Sequence, residues 1–158
     1  MYHSSTFRTV PDKPGIYALY DGFRGNKCVY VGKSGKLKTR IRDHLILRIS
    51  TVTSGTSGAS INVENLTRLK WWTNDCFEDA DYLDAAETLA FKILNPVLSS
   101  RGGRLKSGKK LLKDSEFVDE VSGILENPGG EIELLSYSKL YEKVMDMEER
   151  LSALENSD

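Results

Sequence analysis

Two runs of β-forming residues constrain this chain more than any other feature. GIYALYD (15–21) and KCVYVGK (27–33) both alternate, and the turn-rich DGFRGN between them closes the pair into a β-hairpin. If Tyr20 pairs with Lys27, the same register sets Tyr17 directly opposite Tyr30, with both hydroxyls on one face. From Lys36 to about Ile49 the period becomes helical, with Leu37, Ile41 and Leu45 spaced by four and Ser34 available as a cap. STVTSGTSGAS (50–60, after Ile49) offers nothing to a core and reads as a loop. LTRLKWWTN (66–74) predicts a third strand. A second helix is predicted over Asp81–Leu94, ended by Asn95-Pro96 because proline cannot donate the helical bond. Two more helices are predicted over 115–126 and 136–156, separated by Asn127-Pro128-Gly129-Gly130.

Charge divides this frame unevenly. Residues 1–72 carry a net charge of +8 and residues 73–158 a net of −9, although Arg101, Arg104, Lys106, Lys109, Lys110 and Lys113 lie in an acid-free stretch. A basic half of this kind suits a polyanion, or simply a solvated surface. The remaining composition excludes several classes. Cys28 and Cys76 are too few and too far apart for a zinc finger or disulfide framework, and His3 and His44 cannot build a multi-histidine centre. No apolar run reaches membrane-spanning length and MYHSSTFRTV lacks the apolar core of a signal peptide, so the expectation is a cytoplasmic protein with no membrane partner.

VGKS at a strand-to-helix junction invites a phosphate-binding loop. That motif needs a glycine at position 27, where this chain has Lys27, and nucleotide hydrolysis by it is rejected. Glu87 is more informative. Leu83, Ala90, Phe91 and Leu94 place it on the apolar face of its helix, where a carboxylate requires a partner, either a catalytic one or a buried Arg or Lys. Asp84, on the flank, reads as an ordinary solvated acid. Arg40 and His44, four apart on the basic helix, flank its apolar stripe and can both reach the sheet.

These residues, in this order, resemble the GIY-YIG nuclease superfamily: Gly15-Ile16-Tyr17, Tyr30-Val31-Gly32, then Arg40, His44 and Glu87. The match covers about residues 13–100. Lys33 after Tyr-Val-Gly resembles excision-repair members, and His44 resembles restriction-enzyme members. The family's usual asparagine falls on Ser99, a departure. The resemblance implies an α+β fold, a small three-stranded, mainly antiparallel sheet flanked by helices. The expected organisation is a nuclease domain at 8–100, a basic connecting segment at 101–113 and a helical extension at 114–158.

The resemblance also implies DNA endonuclease activity, hydrolysing a phosphodiester by water attack with one divalent metal. Mg²⁺, with Mn²⁺ as a substitute, is commonly held by one carboxylate and waters, so Glu87 alone suffices as metal ligand. Arg40 suits the charge growing on phosphoryl oxygens. Tyr17 is favoured as general base and Tyr30 as its orienting partner, the reverse assignment staying open. Lys33, Arg40 and the metal are the cations available to lower a tyrosine pKa. His44 relays the proton or holds the phosphate. Lys33, Lys36, Lys38, Arg42, Ser99, Arg101, Arg104 and Lys106 are expected along the DNA track. The alternative is a nucleic-acid-binding module of the same fold without cleavage.

One C-terminal pattern lies outside the resemblance. Tyr137, Leu140, Val144, Met147, Leu151 and Leu154 are spaced 3, 4, 3, 4, 3, with Glu142, Asp146, Glu148, Glu149 and Glu155 on the exterior. Such a seam within 136–156 either pairs with a second copy as a coiled-coil homodimer or folds back on its own domain.

Overall fold

The hairpin supplies one central strand and one edge strand of a single sheet. A computed structural model describes residues 4–49, 61–97 and 108–155 of the 158. Strand β1 (Gly15–Asp21) pairs antiparallel with β2 (Lys27–Ser34) on one side and with β3 (Leu66–Trp72) on the other. A fourth strand, β4 (Gly130–Glu133), pairs antiparallel with β3, giving the order β2-β1-β3-β4. The sheet therefore has four strands rather than the three expected, and its last comes from the segment read as helical. The open edge of β3 supplies the reason. Ile132 packs against the core while Glu131 bridges Lys70 at 3.3 Å and Arg68 at 3.6 Å. A four-residue strand is too short to show a period in sequence.

Helices cover both faces. On one, α1 (Leu37–Leu45) buries Leu37, Ile41, His44 and Leu45 against Leu19, Val29 and Leu69. It stops short of Ile49, with Arg48 in the left-handed region at φ 55°. Ser34 accepts the amide of Lys36 at 3.0 Å, outside the helix, and so orders the entry loop without capping α1 itself. On the other face, α2 (Ala80–Leu94) is capped by Asp79, which accepts the Tyr82 amide at 2.8 Å, and ends at Asn95 in the left-handed region, φ 44°. Helix α3 (Ser115–Glu126) packs Phe117, Val121 and Leu125 beside Trp72 and Phe77, and the Trp72 indole donates to the Leu125 carbonyl at 3.1 Å. Helix α4 (Tyr137–Glu155) leaves the sheet after β4. Among the described residues no helix is long and apolar enough to cross a membrane.

The hairpin register differs from the simple expectation. Tyr17 faces Gly32, and Tyr30 faces Leu19, with a bulge between Leu19 and Tyr20. The turn already pairs Tyr20 with Cys28, one position beyond Lys27, and the extra residue in β2, Val29, adds a second, so Tyr17 meets Gly32 while Val29 and Tyr30 both meet the α1 side. The two tyrosines are thus diagonal neighbours on one face instead of direct partners.

Candidate active site

The site lies along β2, an edge strand, where α1 and α2 converge from opposite faces. Gly32 opens it. A Cβ there would stand 2.7 Å from the Tyr30 ring and 2.8 Å from the Tyr17 hydroxyl, so only glycine leaves both rings their places. Gly15 has a comparable role, since a Cβ there would strike the Trp72 carbonyl and the Leu37 side chain. The first and last glycines of the two motifs are therefore required by close approach.

Tyr17, Tyr30 and His44 form a ring cluster with all three centroid separations between 5.7 and 5.8 Å. The Tyr17 hydroxyl lies 2.6 Å from Nε2 of His44, and both side chains are buried. Burial pushes the His44 pKa down to about 4, helped by the Arg40 guanidinium and opposed by Asp43. The imidazole is neutral at pH 7, and in the tautomer protonated at Nδ1 its Nε2 accepts the Tyr17 hydroxyl. Tyr17 in turn shares a hydrogen bond with Tyr30, which is only partly buried. That bond raises the Tyr17 pKa and lowers that of Tyr30, and the chain Tyr30–Tyr17–His44 runs from surface to interior. Burial raises both phenol pKa values; Arg40 lowers both and does not outweigh it. Lys33, expected to share that task, acts elsewhere.

Glu87, half-buried on α2, completes the cluster. Burial raises its pKa, while the Lys33 ammonium, the Lys33 backbone N–H bonded to its carboxylate, and Arg40 all lower it. The Lys33 ammonium itself pairs with Asp84, which is 7% exposed. Asp84 is therefore not the solvated acid that the helical wheel suggests. Its flank of α2 faces the edge strand, and it takes the buried-ion-pair role weighed for Glu87. The signal was present as Asp84-x-x-Glu87, two acids three apart on one side of a helix.

The fit to a metal can be tested on these groups. Among the described residues no cluster of three or more His, Cys, Asp or Glu could hold an ion. A carboxylate left partly open, and held above its ordinary pKa by burial, does suit a hard cation that keeps most of its water, because the incoming charge relieves the burial penalty. Glu87 is the described residue that would hold such an ion.

The basic track is described in part. Lys36, Arg40 and Arg42 are exposed on or beside α1, and Lys38 is partly so. Ser99, Arg101, Arg104 and Lys106 lie outside the described residues. Comparison with protein-family models, with curated proteins and with solved structures finds no match, so the functional reading rests on this geometry and the motif residues.

Proposed function

We propose that the chain is a divalent-metal-dependent DNA endonuclease that hydrolyses phosphodiester bonds by water attack. The observation that carries the reading is the 2.6 Å Tyr17–His44 bond at the inner end of a proton path whose outer end, Tyr30, stands with Arg40 and Glu87. Tyr17 is enclosed, so Tyr30 is the phenol that meets the attacking water. With His44 protonated at Nδ1 and the Tyr30 hydroxyl turned towards Tyr17, the water's proton moves to the Tyr30 oxygen, Tyr30 passes its own to Tyr17, and Tyr17 passes its own to Nε2 of His44. No phenolate need form, which removes the obstacle of two raised tyrosine pKa values.

Arg40 makes this base responsive to substrate. Its guanidinium depresses the basicity of His44 in the free protein. A phosphodiester paired with Arg40 neutralises that field, so His44 becomes a better proton acceptor when substrate is bound, while the same guanidinium stabilises charge growing on the phosphoryl oxygens. Lys33, held by Asp84, fixes the β2 backbone whose amide orients Glu87. When bound at Glu87, Mg²⁺ would supply charge stabilisation to the leaving oxygen.

The test is plasmid nicking with Mg²⁺ or Mn²⁺ and an EDTA control. Wild-type protein should nick supercoiled DNA only with metal. Glu87→Gln, Arg40→Ala and Tyr17→Phe should each lose about 10²-fold or more, with DNA binding retained by Glu87→Gln. A Glu87→Gln protein cutting at the wild-type rate would refute the metal assignment. DNA binding by wild-type protein with no cleavage under any metal would leave the binding-module reading.

A further inference from the structure

Helix α4 buries little of itself. Its 19 residues span about 28 Å, and the six seam residues Tyr137, Leu140, Val144, Met147, Leu151 and Leu154 are between 44% and 68% exposed. The fold-back alternative is thus not what the structure shows. A stripe of this kind needs a cover, and the charges beside it identify one.

The 3-4 spacing assigns Tyr137, Val144 and Leu151 to heptad position a, and Leu140, Met147 and Leu154 to d. Lys143 and Arg150 then fall on g, and Glu148 and Glu155 on e. In a parallel, in-register pair, each g residue faces the e residue five positions on in the other helix, so Lys143 meets Glu148, and the heptad positions of Arg150 and Glu155 match in the same way. An antiparallel pair would instead set g against g and e against e, basic facing basic and acidic facing acidic. Valine at a central a position, with leucine and methionine at d, favours two strands over three or four.

We infer that α4 is a parallel dimerisation helix whose partner is a second copy of this chain, with orientation set by Lys143 and Glu148. The sheet order supports its use. Helix α4 departs from β4, and the candidate site lies on β2 at the opposite edge, about 14 Å away across the strands. Pairing through α4 therefore leaves both sites uncovered. Two and a half heptads give a modest interface, with a dissociation constant on the order of micromolar.

Sedimentation of the full chain tests this whatever its catalytic activity, so failure here and failure of the nuclease reading are distinguishable. Wild-type protein should pass from monomer to dimer between about 1 and 100 μM. Lys143→Glu and Glu148→Lys should each weaken the dimer about tenfold or more, and the double swap Lys143→Glu/Glu148→Lys should restore it. Both side chains are exposed, so circular dichroism should show the folded monomer unchanged in every variant. A wild-type monomer at every concentration would overturn the inference. So would stronger association in Lys143→Glu, the antiparallel result, or a double swap that fails to rescue.

Discussion

Lowering the pH from 7 to 5 should cost this protein stability through one side chain, His44. Its imidazole is 3% exposed, and burial together with Arg40 brings its pKa from 6.5 down to about 4 in the folded state. The unfolded chain takes up a proton near pH 6.5 and the folded chain resists it. The stabilisation is therefore complete above about pH 6.5 and is lost as pH falls towards 4. Linkage between those two values gives a loss of about 2 kcal/mol between pH 7 and pH 5, a fall of roughly 4–8 °C in Tm for a chain of this size. Glu87 opposes the trend, because its raised pKa means that the folded state takes up a proton more readily. The measurement is therefore a difference. Urea melts of wild type and His44→Gln at pH 7, 6 and 5 share the Glu87 contribution, and glutamine still accepts the Tyr17 hydroxyl without titrating. The advantage of wild type over the variant should shrink by about 2 kcal/mol over that range. Parallel stability curves, or an imidazole NMR titration of His44 centred near 6.5, would refute a buried neutral imidazole and with it the proton path that ends there.

Gly32→Ala should cost about 1–3 kcal/mol in urea melts. By forcing the two phenols apart it should lower the nicking rate about 10²-fold, whereas wild-type nicking by this variant would show that the tyrosine geometry is not used. Removing residues 137–158 retains buried Leu134 and Ser136 and should leave the melting temperature within a few degrees of wild type. The shortened protein should sediment as a monomer and nick plasmid while seldom linearising it, because paired cuts would need the two sites of the proposed dimer; persistent dimerisation would place the interface elsewhere.

Sequence periodicity found what periodicity encodes. The hairpin, the third strand and all four helices were legible because their apolar residues repeat every two or about every four positions, and Tyr17, Tyr30, Arg40, His44 and Glu87 do converge. What failed was local or relational. The bulge adds one residue to β2, and no composition signal distinguishes Val29 as that residue. β4 forms because β3 has an edge to complete and Lys70 and Arg68 have an acid to meet, facts about neighbours far away in sequence. Asp84 was misread because a helical wheel separates apolar from polar faces but does not show which polar flank adjoins a strand. The order of the proposed proton path depended on burial, which puts Tyr17 inside Tyr30 although their motifs look alike.

The bond between Glu87 and the Lys33 amide has a consequence unrelated to chemistry. β2 is a border of the sheet, and a border strand with open amides and carbonyls invites the border of another molecule. Here the Lys33 N–H is taken by Glu87, and the Cys28 carbonyl accepts the Val97 amide at 2.9 Å, so two groups of the rim are occupied from within. The acid proposed to serve catalysis thereby also protects the sheet from adding foreign strands. Alanine at position 87 removes that protection along with the charge, whereas glutamine keeps an oxygen for the Lys33 amide, so the alanine protein should aggregate more readily in concentrated solution than the glutamine protein.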